Sequence, residues 1–187
     1  MQDDIELVNR VISGDVACFS LLVRQYEQGI MRFIFNMVKN NETTEDLCQE
    51  VFIAAYYKLY SYKKEYKFST WLYTIANNKC IDYLRKNKKS KEVNLEDISL
   101  FSREASPDML VELKETKETL ECFIKALKDV DRKILALRSS EEKHSFYDIA
   151  MILSMSKSNV KKRYYNILEK YEKLKRETEN SFEKGVI

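Results

Sequence analysis

The chain of 187 residues carries 32 Lys and Arg against 30 Asp and Glu, a formal net charge of +2 although a third of its residues are charged. Three glycines and one proline are too few for the hairpin turns of a β-rich fold or the phosphate loops of Rossmann and P-loop proteins. With 44% hydrophobic residues there is enough to bury a core, and an all-α protein remains.

In chain order, Leu7, Val8, Val11 and Ile12 give a short amphipathic helix stopped at Ser13-Gly14-Asp15. Phe19, Leu22, Tyr26, Ile30, Phe33 and Met37 recur every three or four residues and predict a long helix ending at Asn40-Asn41. A third starts near Thr43–Thr44, with Glu45 and Asp46 at its positive end and a buried stripe of Leu47, Val51, Ala54/Ala55 and Leu59. A fourth opens at Phe68-Ser69, where Ser69 can cap and Phe68 can staple onto Tyr73. It runs through Leu72, Ile75, Ala76 and Tyr83.

The stretch from Asn87 to Pro107 lacks helical periodicity and reads as a linker; fully extended it would reach about 70 Å, so two modules could act at separate sites. The expected organisation is an N-terminal helical domain over 1–88, a flexible linker over 89–108 and a C-terminal helical domain over 109–187. Beyond the linker, Leu110, Leu113, Leu120, Ile124 and Leu127 mark one helix and Ile134, Leu135 and Leu137 another.

Cys18, Cys48, Cys80 and Cys122 form no CxxC pair and there is a single histidine, so no structural metal site is expected. The thiols read as small buried side chains in a reducing compartment. The start, MQDDIELV, has no signal-peptide pattern, and the longest apolar stretch, Ile30 to Val38, is short and carries Arg32. A soluble cytoplasmic protein, without membrane insertion, is the expectation.

Charge is strongly segregated. Residues 77–91 hold six bases and one acid, residues 92–121 nine acids and three bases, and residues 157–176 eight bases and two acids. Two cationic blocks separated by an anionic one suggest two nucleic-acid surfaces.

Residues 145–163, SFYDIAMILSMSKSNVKKR, have the layout of a helix-turn-helix. Ala150 is the small residue at the helix contact, Ser154-Met155-Ser156 the turn and Val160 the anchor, with Ser154 where glycine is common. Ile149, Ile152 and Leu153 supply the first helix's buried face. Lys157, Ser158, Asn159, Lys161, Lys162 and Arg163 open the second helix, from which base edges and phosphates are reached.

Residues 56–73 interleave Tyr56, Tyr57, Tyr60, Tyr62, Tyr66, Phe68, Trp71 and Tyr73 with Lys58, Lys63, Lys64 and Lys67. Aromatic faces with lysines suit stacking on unpaired bases. The third helix has a further face of Asp46, Gln49, Glu50, Ile53 and Tyr57; acids there would repel DNA, so it reads as a protein-docking surface.

T-E-D-L-C-Q-E-V-F-I (Thr44–Ile53), F-S-T-W-L-Y-T-I-A-N-N-K-C-I-D-Y-L-R (Phe68–Arg85), G-D-V-A-C-F (Gly14–Phe19) and D-R-K-I-L-A-L-R…Y-D-I-A-M-I-L…V-K-K-R (Asp131–Arg163) resemble an extracytoplasmic-function sigma factor of the sigma-70 superfamily. That family carries sigma domains two and four alone. The resemblance implies that Asp46, Gln49, Glu50 and Ile53 meet the clamp helices of core RNA polymerase. It implies that Lys67, Phe68, Ser69, Trp71, Thr74, Asn77, Asn78, Lys79, Arg85 and Lys86 recognise and open the −10 element of promoter DNA. Lys157, Asn159, Lys161, Lys162, Arg163, Tyr165 and Asn166 would read the −35 element, with the polymerase flap touching the same domain. An anti-sigma factor is the implied regulator, and neither catalytic residue nor cofactor is implied.

Two rivals stand beside this reading. A stand-alone helix-turn-helix regulator needs a dimer interface, and no coiled-coil seam is visible. An enzyme has no support, because His144 sits in a Glu/Lys/Ser-rich connector and reads as solvated.

Overall fold

The computed structural model describes residues 3–88 and 120–184, and these are helical with no strand among them. The expected linker over 89–108 lies outside the described residues, as does the start of the helix expected from Leu110.

α1 (Asp4–Ile12) begins where the Asp3 carboxylate accepts from the Ile5 N–H at 3.1 Å. It buries Leu7, Val8 and Val11. Gly14, at φ 103°, turns the chain out of it, in the left-handed region that only glycine enters freely. α2 (Ala17–Val38) buries Cys18, Leu22, Tyr26, Ile30, Phe33 and Ile34. The Tyr26 hydroxyl donates to Asp4 at 2.6 Å, pinning α1 along α2.

α3 (Asn41–Lys58) starts two to three residues earlier than the threonines suggest. Asn40 is the cap, its side chain accepting from the Thr43 N–H at 2.8 Å. Thr44 is buried and its hydroxyl donates back to the Asn40 carbonyl, so it serves the helix from inside. Leu47, Cys48, Val51, Phe52 and Ala55 face the core. A short 3-10 turn, Leu59–Ser61, leads to α4 (Phe68–Lys88).

In the C-terminal half, a helical segment over 120–126 precedes α5 (Asp129–Ser139), α6 (Phe146–Ile152) and α7 (Lys157–Lys184). α6 opens with a reciprocal capping box: Ser145 and Asp148 each accept from the other's backbone N–H. The turn between α6 and α7 closes as the Met155 N–H donates to the Ala150 carbonyl at 2.8 Å. Ser154 stands there at φ 52°, and Ser156 caps α7 through the Asn159 N–H. Ile149, Ala150, Ile152 and Val160 are buried as a helix-turn-helix requires.

α1–α4 form one bundle and α5–α7 a second unit. The two are packed on each other, α5 against α2 and α6 against α4. Three cysteines are buried as expected, but Cys122 is exposed. His144 is the larger correction. It is fully buried, because its connector is folded into the boundary between the two units.

Candidate nucleic-acid interface

The outer face of α3 carries Asp46, Gln49, Glu50, Ile53 and Tyr57, all exposed, with Asp46, Glu50, Ile53 and Tyr57 three or four residues apart and Gln49 beside Glu50. Ile53 is 58% and Tyr57 77% exposed, an apolar pair left uncovered at the end of an acidic stripe. Such a face fits a protein partner better than solvent alone. Glu50 also accepts from Lys79 of α4 at 2.7 Å, so this residue of the expected −10 set is tied to the docking face.

The aromatic segment divides in two. Tyr62, Phe68 and Trp71 pack on one another with ring centroids 5.5–5.6 Å apart, and Phe68 also meets Tyr26 at 5.5 Å. Phe68 packs into this cluster and does not staple onto Tyr73; Tyr73 instead meets Phe33 at 5.4 Å. Phe68 and Ser69 are therefore core residues in this arrangement and reach no ligand directly. Burial raises the Tyr73 phenol strongly, keeping it neutral. Tyr60, 77% exposed, presents an open ring face, whereas Tyr57 belongs to the outer face of α3 and meets Tyr56 at 5.8 Å; Lys58, Lys63, Lys64 and Lys67 are exposed.

Along α4, Asn78, Arg85 and Lys86 are exposed, and Arg85 lies 3.7 Å from Asp82. Thr74 is half-buried, its hydroxyl donating to the Thr70 carbonyl at 2.8 Å. Lys67 reaches Asp148 of α6 at 3.8 Å. Asn77 is buried, donating to the Ile152 carbonyl. The expected −10 residues are thus split among an exposed set, a buried set and a set held by the C-terminal unit.

The start of α7 brings its residues together more simply. Val160 and Ile167 are buried, which turns Lys157, Lys161, Lys162, Tyr165 and Asn166 outward, with Asn159 exposed at the edge. Lys161 lies 5.9 Å from the Tyr165 ring centre, a cation–aromatic pair presented to solvent. Arg163 is different: it donates to Asp131 of α5 at 2.8 Å and braces the fold.

Sequence reasoning missed Asp148 and His144. The Ser145-x-x-Asp148 capping pattern signals a helix start at Phe146, with Asp148 in its first turn, though not the contact of Asp148 with Lys67. Burial raises the Asp148 carboxyl, but hydrogen bonds from Ser145 and the Lys67 charge outweigh that and leave it below the usual range. Nothing in the sequence around His144 signals burial. No group of three or more metal-ligating side chains occurs among the described residues.

The Sigma-70 region 2 family model matches residues 22–90, and a model described as Protein of unknown function (DUF722) matches residues 60–173. RNA polymerase sigma-H factor of Pseudomonas aeruginosa is 30% identical, over 92% of this chain and 93% of its own. ECF RNA polymerase sigma factor SigW of Bacillus subtilis is 31% identical over 84% and 89%.

The chain belongs to the ECF sigma factors.

Its sigma-factor fold is shared with two solved structures. CnrH, in complex with the cytosolic domain of CnrY, gives a TM-score of 0.63 at 22% identity, covering 91% of this chain and 96% of that one. RpoE of Bartonella quintana, in complex with the anti-sigma factor NepR, gives 0.67 at 19% identity, covering 84% and 96%. Among the described residues of this sigma factor, no helix is long and apolar enough to cross a membrane.

Proposed function

We propose that this ECF sigma factor binds core RNA polymerase and directs it to promoters by reading a −35 and a −10 element, with no chemistry of its own. The observation that carries this is similarity to RNA polymerase sigma factors along nearly the whole chain, both helical units included. That extent disfavours a stand-alone helix-turn-helix regulator.

In this reading residues 1–88 are domain two, 89–108 the linker and 109–187 domain four. Asp46, Gln49, Glu50 and Ile53 meet the polymerase clamp, and the flap meets domain four. Lys157, Lys161, Lys162, Tyr165 and Asn166 enter the −35 major groove. Phosphate contacts set the register there, and base contacts add discrimination. Lys67, Asn78, Arg85 and Lys86 hold the −10 strand, while Tyr60 adds an exposed ring face. Unstacking costs a few kcal/mol, and stacking on aromatic side chains at about 1–3 kcal/mol per base offsets it. The protein works inside the cell and is held silent by an anti-sigma factor.

Purified chain mixed with core polymerase, transcribing fragmented genomic DNA, should yield transcripts whose upstream regions share two motifs at fixed spacing. Binding to one motif without polymerase, and no new transcripts with it, would overturn this reading.

A further inference from the structure

The space between α2 and the C-terminal unit is closed at Gly29 and open at the end of the helix. A Cβ on Gly29 would stand 2.5 Å from both the Tyr73 hydroxyl and the Glu142 carboxylate. Beside Lys39, which follows the last turn of α2, there is instead a cavity of about 200 Å³. Its walls come from three elements: Asn36 and Lys39 at the end of α2, Ile124 and Lys125 of the segment over 120–126, and Arg132 and Leu135 of α5.

Three cations, Lys39, Lys125 and Arg132, line this cavity against one carboxylate, Glu121. Neither lysine nor Glu121 takes part in an ion pair among the described residues. Lys39 is half-buried, and its ammonium donates to the Asn36 side-chain oxygen at a long 3.4 Å. Burial lowers its basicity, and the charges of Arg132 and Lys125 lower it further. Its backbone is held at φ 55° with the N–H bonded to the Phe35 carbonyl, where glycine or asparagine is usual. A cation at the carbonyl end of a helix is ordinary. That does not account for two more cations brought to it from the other unit.

Arg132 completes the case. Its Nη1 donates to the Lys125 carbonyl at 3.2 Å and its Nη2 to Asp129, so the guanidinium is fixed. Its Nε is buried with no hydrogen-bond partner among the described residues. A guanidinium N–H in that position is suited to an oxyanion. Like charges gathered in a partly dry site make one another harder to ionise, and an anion seated among them reverses that effect.

We propose that this cavity binds a compact diphosphate anion, either inorganic pyrophosphate or the diphosphate end of a nucleotide, with Lys39, Lys125 and the Arg132 Nε as its donors. The volume exceeds what one phosphate group fills, yet lies below the ~300–1,000 Å³ of pockets for drug-sized ligands. Cations on three separate elements suit charge spread over two phosphate groups, and Ile124 and Leu135 give a short apolar wall beside them. The site shares no residue with the −35, −10 or polymerase-docking sets. Once bound, the anion ties α2 to α5 and adds to the stability of that contact.

Isothermal titration of the full-length chain with magnesium-free sodium pyrophosphate, at physiological salt, should show one saturable site. Lys39→Met, which keeps most of the stem, and Lys125→Gln, at an exposed position, should each weaken it at least tenfold. Lys161→Gln should leave it unchanged. ADP binding as tightly as pyrophosphate assigns the site to nucleotides, and weaker binding assigns it to pyrophosphate itself. If Lys161→Gln weakens binding and Lys39→Met does not, the anion sits at the start of α7 and the proposal is overturned. Equal binding of sulfate at matched ionic strength marks an unspecific charge effect and overturns it as well.

Acetylation by acetic anhydride, mapped by peptide mass spectrometry, locates the anion on the unaltered chain. Saturating pyrophosphate should slow the reaction of Lys39 and Lys125 at least fivefold while the exposed Lys58 and Lys63 react as before. No slowing at Lys39, or equal slowing at all four lysines, would overturn the site.

Discussion

The Lys79 ammonium sits 2.7 Å from the Glu50 carboxylate, joining the outer face of α3 to the middle of α4. The face expected to meet protein and the helix expected to meet DNA are therefore coupled through one ion pair. Both partners are partly exposed, which limits the pair's worth to stability to about 0–1 kcal/mol.

Glu50→Lys should weaken binding to core polymerase at least tenfold while thermal unfolding shifts little. Surface plasmon resonance on immobilised core enzyme measures the first and circular dichroism the second. Unchanged polymerase affinity would remove the docking role from α3. Lys79→Ala, which leaves Glu50 in place, should retain polymerase binding.

Lys161→Ala should weaken binding to duplexes carrying the −35 motif and reduce the slope of log affinity against log salt by about one phosphate contact. Fluorescence anisotropy across a salt series reads both. Arg163→Ala should instead lower stability, because its guanidinium is already engaged by Asp131.

Tyr60 and Trp71 should separate opening from folding. Tyr60→Ala removes an exposed ring and should slow promoter opening, followed by permanganate footprinting, with unfolding unchanged. Trp71→Ala removes a half-buried ring packed on Tyr62 and Phe68. It should cost roughly 1–3 kcal/mol in urea unfolding, below the ~3–5 kcal/mol of a fully buried aromatic.

His144 is the only histidine, so its ring protons give isolated NMR signals. Burial lowers its basicity, as does the charge of Lys67 on α4, while Glu142 beside it and Asp148 of α6 pull the other way without prevailing. Tyr73 on α4 stays neutral, and Arg138 of α5 is engaged by the His144 carbonyl. Since the folded chain protonates His144 less readily than the unfolded chain, the stability that this burial carries is complete above the ordinary histidine range and is lost as pH falls below about 6.5. The midpoint should lie below 6.5 in the native chain and return to about 6.5 in urea. A native midpoint at or above 6.5 would contradict the buried placement.

Ser154→Gly should stabilise the C-terminal unit by up to about 1 kcal/mol. A non-glycine residue in the left-handed region costs about 1–2 kcal/mol, partly offset by the greater freedom of glycine in the unfolded chain. Chemical denaturation with both variants at equal salt would measure it.

Periodicity located α1 to α4 and the helix-turn-helix, because each element's apolar stripe is written in its own residues. The stripe on α2 and the Ala150, Val160 and Ile149 set were legible for that reason. The start of α3 was misjudged because three capping-competent residues, Asn40, Thr43 and Thr44, crowd one turn, and the side chain of Asn40 reaches the free N–H. The exposed lysines, tyrosine and asparagine at the start of α7 were legible as a basic face. What sequence did not carry was the contact between the two units. Lys67 and Asn77 are polar and Tyr73 aromatic, so they read equally well as ligands of DNA. Only the fold reveals that Asp148, Ile152 and His144, some seventy residues away, already face them.

Gly29 sits mid-way along a 22-residue helix, where alanine would ordinarily strengthen the backbone by about 0.5–1 kcal/mol. Here the added methyl would act as a wedge between Tyr73 and Glu142. The packing of α4 on α2 is therefore disturbed along with the seat of Glu142, and this position keeps a residue that a helix interior ordinarily avoids.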